Sequence, residues 1–317
     1  MSQIIKLDRC RVDTIVSRSH YIISTVVLGV FALTLISTNI AYESISCFSR
    51  FHTTSDITQP QLNSFCYAPQ TTSDTYSEET IPHQIPAFYR YQPIIFFLIS
   101  LSFYWPKYVW SCMENNLIEK CVQNLNQPIQ KSAERISELR LLAQYIQRNK
   151  ASHKLFACYY FCSDVMYFIN LVIQVAVLDH VLNGRFIPYG LKMNLDEVFP
   201  KSFLCKYSYQ SQSMEATCLL HANFLTDKFV LLIWYWWLIL AFLTACQLGY
   251  HLAFITSSKF RRQIFYMKAG KLVRQDYLTR IMCDLSYGDK ISETLFLIMI
   301  VQNLQNDTSA DLLELLC

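Results

Sequence analysis

Residues 229–249 read FVLLIWYWWLILAFLTACQLG, a run without one charged side chain. As a helix rising 1.5 Å per residue it is roughly 30 Å long, which matches a hydrocarbon core of ~30 Å. Three further stretches, 21–41, 93–113 and 160–182, reach the same length. The reading that follows is an all-α membrane protein, a four-helix transmembrane bundle. The composition agrees: of 317 residues 52% are hydrophobic and 16% charged, below the ~25% charged of ordinary soluble domains. A net charge of +3 gives no argument for nucleic acid.

The first stretch begins after twenty residues, yet it runs past the ~7 to 15 apolar residues of a signal peptide and lacks a small-residue cleavage site, so it is expected to stay as a helix. Pro106 inside the second predicts a kink. The third carries Asp164, Asn170, Gln174 and Asp179, so one face should look at protein or water. The carboxylates line a water path, salt-bridge a neighbour, or make a helix-packing hydrogen bond. Trp234, Tyr235, Trp236 and Trp237 in the fourth fit an aromatic belt.

Orientation follows from Lys and Arg. Segments 1–20, 114–159 and 250–317 hold 19 of them, and segments 42–92 and 183–228 hold 7. The positive-inside rule places the first set in the cytoplasm and the second outside. Between Thr53 and Pro86 the sequence, rich in Ser, Thr, Pro and Gln, reads as loop with a short strand. Residues 130–148 read as a cytoplasmic helix, because Ile136, Leu139, Ala143 and Ile146 recur at helical spacing. The 250–317 region is expected to be helical too, with Arg261 and Arg262 placed to touch anionic lipid.

Of 12 cysteines, this topology puts Cys47, Cys66, Cys205 and Cys218 outside, where disulfides form. Four cysteines allow three connectivities. The other eight should be reduced. Cys158 and Cys162 with His153 nearby offer no second ligand pair, and a closed structural zinc site needs four ligands, so no metal is expected. No phosphate loop, nucleophile elbow or metal-spaced histidine pair marks an enzyme, and no cofactor is implied. Asp164 and Asp179 lie some 22 Å apart along a helix, too far to share acid and base roles.

Phe88, Tyr89, Arg90, Tyr91, Gln92 and Pro93, with Pro106 thirteen residues after that proline inside the run Phe103 to Trp110, resemble the innexin signature Tyr-Tyr-Gln-Trp-Val-Pro and its downstream Phe-Tyr-x-Pro-Arg-Tyr-Leu-Trp. Tyr89, Tyr91, Pro93 and Pro106 carry the match. Arg90, Tyr91 and Gln92 stand where the family usually has Gln, Trp and Val, which marks a divergent member. Further landmarks keep the family's order. They are His20 and Tyr21; Ile45 to Phe48; Asn170 with Gln174; Gly184, Phe186, Tyr189 and Gly190; Val198 to Lys201 with Cys205; and Glu293 to Leu304.

The resemblance implies a ring of subunits, eight by family precedent, around a large pore. Such rings dock with a ring in the apposed cell, pass ions and small metabolites, and act undocked as hemichannels. The implied partners are further copies of the chain, other innexins and membrane lipids, at cell junctions of the plasma membrane. Family precedent brings the N-terminal segment into the pore mouth. Pore-lining candidates are Met1, Ser2, Asp13, Asn39, Tyr42 and Glu43. Cys47 and Cys218 lie near membrane-proximal ends of their loops, with Cys66 and Cys205 further in; pairing Cys47 with Cys218 and Cys66 with Cys205 would staple the loops together, as the family precedent has it.

A connexin would show three closely spaced cysteines per outer loop, and a tetraspanin a Cys-Cys-Gly run; neither is present. The alternatives kept are a pannexin-like non-junctional channel and a four-helix membrane enzyme or transporter. The sequon Asn306-Asp307-Thr308 falls on the cytoplasmic side, where no glycan would block docking.

Overall fold

The computed structural model describes residues 10, 12–41, 45–49, 58–67, 87–125, 132–192, 199–209, 212–269 and 291–316. Among these the chain is mostly helical. It divides into two compact units, one of Met1–Tyr21, Tyr104–Ile169 and Ala241–Cys317, the other of Ile22–Phe103 and Asn170–Leu240.

Among the described residues three helices are long and apolar enough to cross a membrane: Ile15–Ile40, Ser152–Val181 and Asn223–Thr256. The first contains α1 (Ile15–Arg18), a π-helical turn (Ser19–Ser24) and α2 (Thr25–Ala41). Thr14 caps it, its Oγ1 accepting from the Ser17 amide at 3.1 Å, which satisfies one of the free donors of a helix start. The other two lie in α7 (Lys150–Val181) and α9 (Asn223–Thr256). Between α2 and α7 runs α4 (Ala87–Glu114), 28 residues continuous through Pro106. It is as long as the others and less apolar, because Lys107, two prolines and several Tyr and Trp residues interrupt its aliphatic run. Outward-facing Val30, Leu33, Leu101, Val172 and Phe242 are half or more exposed on these helices, a surface that suits hydrocarbon rather than water.

The sheet-bearing unit departs from an all-α reading. Strands β1 (Ile45–Ser49), β2 (Ser202–Tyr209) and β3 (Gln212–Leu220) form an antiparallel sheet in the order β1-β3-β2. Side chains alternate along each strand with period two. Ile45, Cys47, Phe203, Cys205, Ala216, Cys218 and Leu220 are buried, while Phe48, Leu204 and Thr217 are exposed. Helix α3 (Gln59–Tyr67) covers the buried face with Leu62 and Cys66. The Ser- and Gln-rich stretch read as loop with a short strand therefore contains a helix, because an apolar sheet face needs a cover. Strand β1 lies outside it, at Ile45.

Deeper in this unit Phe31 stacks on Phe229 with ring centres 3.6 Å apart and meets Phe96 edge-on at 4.9 Å. Trp237 is buried against Phe103 and Phe186, and Trp236 Nε1 donates to Ser24 Oγ at 2.9 Å. The Trp-Tyr-Trp-Trp run lies well inside α9, and two of its indoles, Trp236 and Trp237, pack against other helices. Helix α7 ends at Asn183 and Gly184, both at positive φ, with the Gly184 amide donating to Asp179 O at 2.7 Å. Glycine takes that left-handed position without a Cβ clash.

Helix α8 (Phe186–Lys192) follows. A Cβ on its Gly190 would overlap the Trp234 indole. Gly190→Ala is therefore expected to destabilise the protein by about 1–3 kcal/mol through overpacking. Thermal unfolding of the purified variant checks this, and an unchanged midpoint would show that the indole has room to move.

The helical unit also holds α5 (Leu117–Val122), α6 (Ser132–Arg148), α10 (Ser258–Ala269), α11 (Ile291–Asn303) and α12 (Asn306–Leu316). In α6, Leu139, Ala143 and Ile146 are buried as the periodicity expects, whereas Ile136 is 42% exposed. Helix α11 is buried on all sides from Thr294 to Val301, the behaviour of a helix apolar all round. The Glu293 to Leu304 landmark is thus a central core helix. Arg135 pairs with Asp311 at 3.1 Å, an exposed contact that contributes little.

Candidate functional site

The sheet is held by two disulfides, Cys47–Cys218 and Cys66–Cys205, closing 171 and 139 residues of chain. Cys47 lies directly opposite Cys218 in the ladder, with 3.9 Å between their Cα atoms. Such close facing pairs are the non-hydrogen-bonded ones of an antiparallel ladder, whose amides and carbonyls point away from the partner strand. On edge strand β1 those groups need other partners. The Cys47 amide donates to Asn63 Oδ1 at 2.9 Å, and Cys47 O accepts from Gln59 Nε2 at 2.8 Å. Two side chains of α3 thereby close the edge, and Cys66 on the same helix ties it to β2. Strands β1, β2 and β3 and helix α3 form one cross-linked platform.

Beside it, Gln92 is 1% exposed. Its Nε2 donates to Asn223 Oδ1 at 3.3 Å, its Oε1 accepts from Thr226 Oγ1 at 3.2 Å, and Asn223 Nδ2 donates to Pro200 O at 2.7 Å. The start of α4, the start of α9 and the approach to β2 meet at this amide. Nearby, Tyr189 Oη donates to Asp227 O at 2.8 Å. Burial and then the Asp227 carboxylate raise the Tyr189 phenol above its ordinary value, keeping it a donor. Lys201 sits 3.9 Å from Asp227. Of the signature residues, Pro93 and Pro106 are buried and Tyr91 is half exposed. Tyr89 lies in α4, with its side chain outside the described residues. Gln92, read only as a departure from the family pattern, is the hub. Its polarity in an apolar stretch was the available signal.

In the helical unit a second polar group surrounds the entry to the first span. Asp164 Oδ2 lies 2.6 Å from His251 Nε2, and Oδ1 accepts from Ser17 Oγ at 3.3 Å. His20 Nε2 is 2.8 Å from Thr244 Oγ1, and Thr14 Oγ1 donates to Gln247 Oε1 at 3.1 Å. Ser17, His20, Asp164 and His251 are all buried. His20 sits within the π-helical turn, a feature that often marks functional sites. Asp164 thus packs between helices, beside an imidazole and accepting from one hydroxyl. Asp179 instead caps the turn after α7, accepting from the Ile187 amide at 3.0 Å.

Among the pore-lining candidates, Asp13 Oδ2 accepts from Lys107 Nζ at 2.7 Å and Tyr21 Oη at 2.8 Å, and Asn39 is half-buried. Met1, Ser2, Tyr42 and Glu43 lie outside the described residues. His153 is buried with its ring stacked on Phe296 at 4.2 Å, whereas Cys158 and Cys162 are exposed, so the three do not converge. The sulfurs of Cys47, Cys66 and Cys218 lie close together, but they are spent in disulfides and offer no thiolate for a metal.

The sequence profile of the Innexin family matches residues 13–317. Innexin shaking-B of Drosophila melanogaster is 26% identical over 325 residues, covering 91% of this chain and 86% of that protein. Innexin inx2 of Schistocerca americana is 24% identical, covering 90% and 88%. Innexin inx3 of Drosophila melanogaster is 25% identical, covering 98% and 85%. With the match running from the capped start of the first helix to the end of the chain, this protein belongs to the innexin family, a divergent member of a group of gap-junction channel subunits rather than enzymes.

Proposed function

We propose that the chain spans the plasma membrane four times, α4 being the remaining span, with both termini and residues 114–159 in the cytoplasm. Copies assemble as a ring, eight by family precedent, which docks through the disulfide-linked platform with a ring in an apposed cell. The channel passes ions and small metabolites between cells, and undocked rings act as hemichannels. Other innexins are further candidate partners. The N-terminal segment at Met1, Ser2 and Asp13 and the outer end of the first span at Asn39, Tyr42 and Glu43 line the pore.

The observation that carries this reading is the platform itself. Two segments, each flanked by membrane-length helices, contribute strands to one sheet whose register and two disulfides fix its shape. A rigid surface reduces the ordering cost of association. The 28 residues of α4 span about 42 Å, enough to cross the core.

Expression in paired cells that lack endogenous coupling tests the proposal. Junctional conductance and transfer of small charged dyes are expected. Single-cell current without junctional current retains the channel and rejects docking, the pannexin-like outcome. Absence of both, with protein at the surface and other innexins co-expressed, overturns it.

A further inference from the structure

Free thiols among the described residues fall into two groups. Cys10 and Cys121 are partly buried in the helical unit, and Cys112, Cys158, Cys162 and Cys246 are exposed. Burial and then the Glu114 carboxylate push the Cys121 thiol up to about 11, which leaves it almost wholly protonated at neutral pH. Cys158 and Cys162, both exposed, lie one turn apart on α7 and share a face.

That face has a definite character. Leu155, Val165, Ile169 and Val172 are 57%, 44%, 50% and 52% exposed and continue the two thiols at helical spacing. Lys154, exposed, stands one turn before Cys158. The opposite side of the same turns is packed, with His153, Phe156 and Tyr160 buried. Both thiols thus sit on an exposed aliphatic stripe within about two turns of exposed Lys154. From Cys162 to Val172 the aliphatic stripe runs ~15 Å, half the depth of a ~30 Å hydrocarbon core.

We infer that Cys158 and Cys162 are sites of S-acylation by a long-chain acyl-coenzyme A, the acyl chains lying along the α7 stripe. This rests on the orientation proposed above, which puts the Lys150 end of α7 in the cytoplasm. The Cys sulfur attacks the acyl carbonyl carbon, its thiol proton passing to a base. The bond from that carbon to the coenzyme A sulfur breaks, and coenzyme A leaves as a thiolate that takes up a proton. One thioester replaces another, and nothing is oxidised or reduced. A membrane acyltransferase of the cell supplies the catalysis. Thiols at a cytoplasmic membrane boundary are the usual substrates of this reversible modification, and the apolar stripe gives the chain a surface to follow.

The full chain, expressed in cells, has its free thiols blocked with N-ethylmaleimide, is then treated with hydroxylamine to open thioesters, and the newly released thiols are labelled with a mass tag. Two tags are expected on the unaltered chain and on Cys112→Ser, one on Cys158→Ser or Cys162→Ser, and none on the double variant. An epitope near Ser132, reached by antibody only after permeabilisation, checks orientation in the same cells. No tags on surface protein of correct orientation overturns the inference alone, as when a neighbouring subunit covers this face. Tags that persist in the double variant, or vanish in Cys112→Ser, also overturn it. An epitope reached in intact cells overturns the orientation, and the inference with it.

Discussion

Replacing Cys47 or Cys66 by serine is expected to abolish junctional conductance between paired cells while leaving most of the protein in the membrane. Each bond closes a long stretch of chain, 171 residues for Cys47–Cys218 and 139 for Cys66–Cys205. In the chain-entropy account, constraining a loop of this size stabilises by roughly 4–5 kcal/mol. The platform has few other resources. Its core is a handful of side chains, four of them the cysteines themselves, and so small a core cannot fold alone without cross-links. Insertion depends on the apolar spans, which contain none of these residues. The assay is therefore conductance at matched surface levels, with Cys47→Ser/Cys218→Ser distinguishing loss of the bond from a stray thiol. Full coupling in Cys47→Ser and Cys66→Ser would mean that the sheet register and the α3 contacts hold the platform without covalent help.

The helices were legible wherever a long period or a long apolar run fixed them. The first, third and fourth stretches correspond to Ile15–Ile40, Ser152–Val181 and Asn223–Thr256, each helix running beyond the apolar run that signalled it. Polar residues such as Ser17 and His153 continue the helices outside the hydrocarbon length, so composition places the middle of a span and not its ends. The sheet was hidden for a related reason. Alternation such as Phe203, Leu204, Cys205 is buried and exposed in space without being apolar and polar in sequence. Helix α3 carries Asn63 and Gln59 because it covers an edge, where one accepts and the other donates.

The site was legible in part. The four outer cysteines stood out through topology, and the structure joins Cys47 to Cys218 and Cys66 to Cys205. The polar hubs did not stand out. His251, Thr244 and Gln247 are single residues at the end of an apolar run, and nothing local says that they face Asp164, His20 and Thr14 from another helix. Intramembrane Asp164 was the one visible half of that arrangement. Several family landmarks turn out to serve the fold. Gly184 ends α7, Phe186 packs on Trp237, Tyr189 bonds the Asp227 carbonyl and Gly190 makes room for Trp234. A shared pattern of this kind marks common packing more directly than a shared permeant.

Asp164→Ala should be the most damaging single change in the helical unit. The carboxylate is buried, 4% exposed as a side chain, and it faces His251 at 2.6 Å and Ser17 at 3.3 Å. Removing it takes the acceptor from the buried Ser17 hydroxyl and leaves the buried His251 imidazole without the carboxylate beside it. Breaking one partner of a buried pair costs about 3–5 kcal/mol, whereas Arg135→Ala, which breaks the exposed Asp311 contact, costs under ~1 kcal/mol. The loss also has a place. Ser17 belongs to α1, so the start of the first helix loses its hydrogen bond to α7, while the Thr14–Gln247 and His20–Thr244 contacts to α9 and the His20–Tyr167 ring contact to α7 stay in place. Detergent-purified Asp164→Ala should melt several degrees below the unaltered protein and give little current even at matched surface levels. Asp164→Asn, which keeps the size and the acceptor for Ser17 Oγ, should fall between the two. Equal melting of Asp164→Ala and the unaltered chain would show that water reaches this cluster and replaces the carboxylate, and the pair would then lose its structural role.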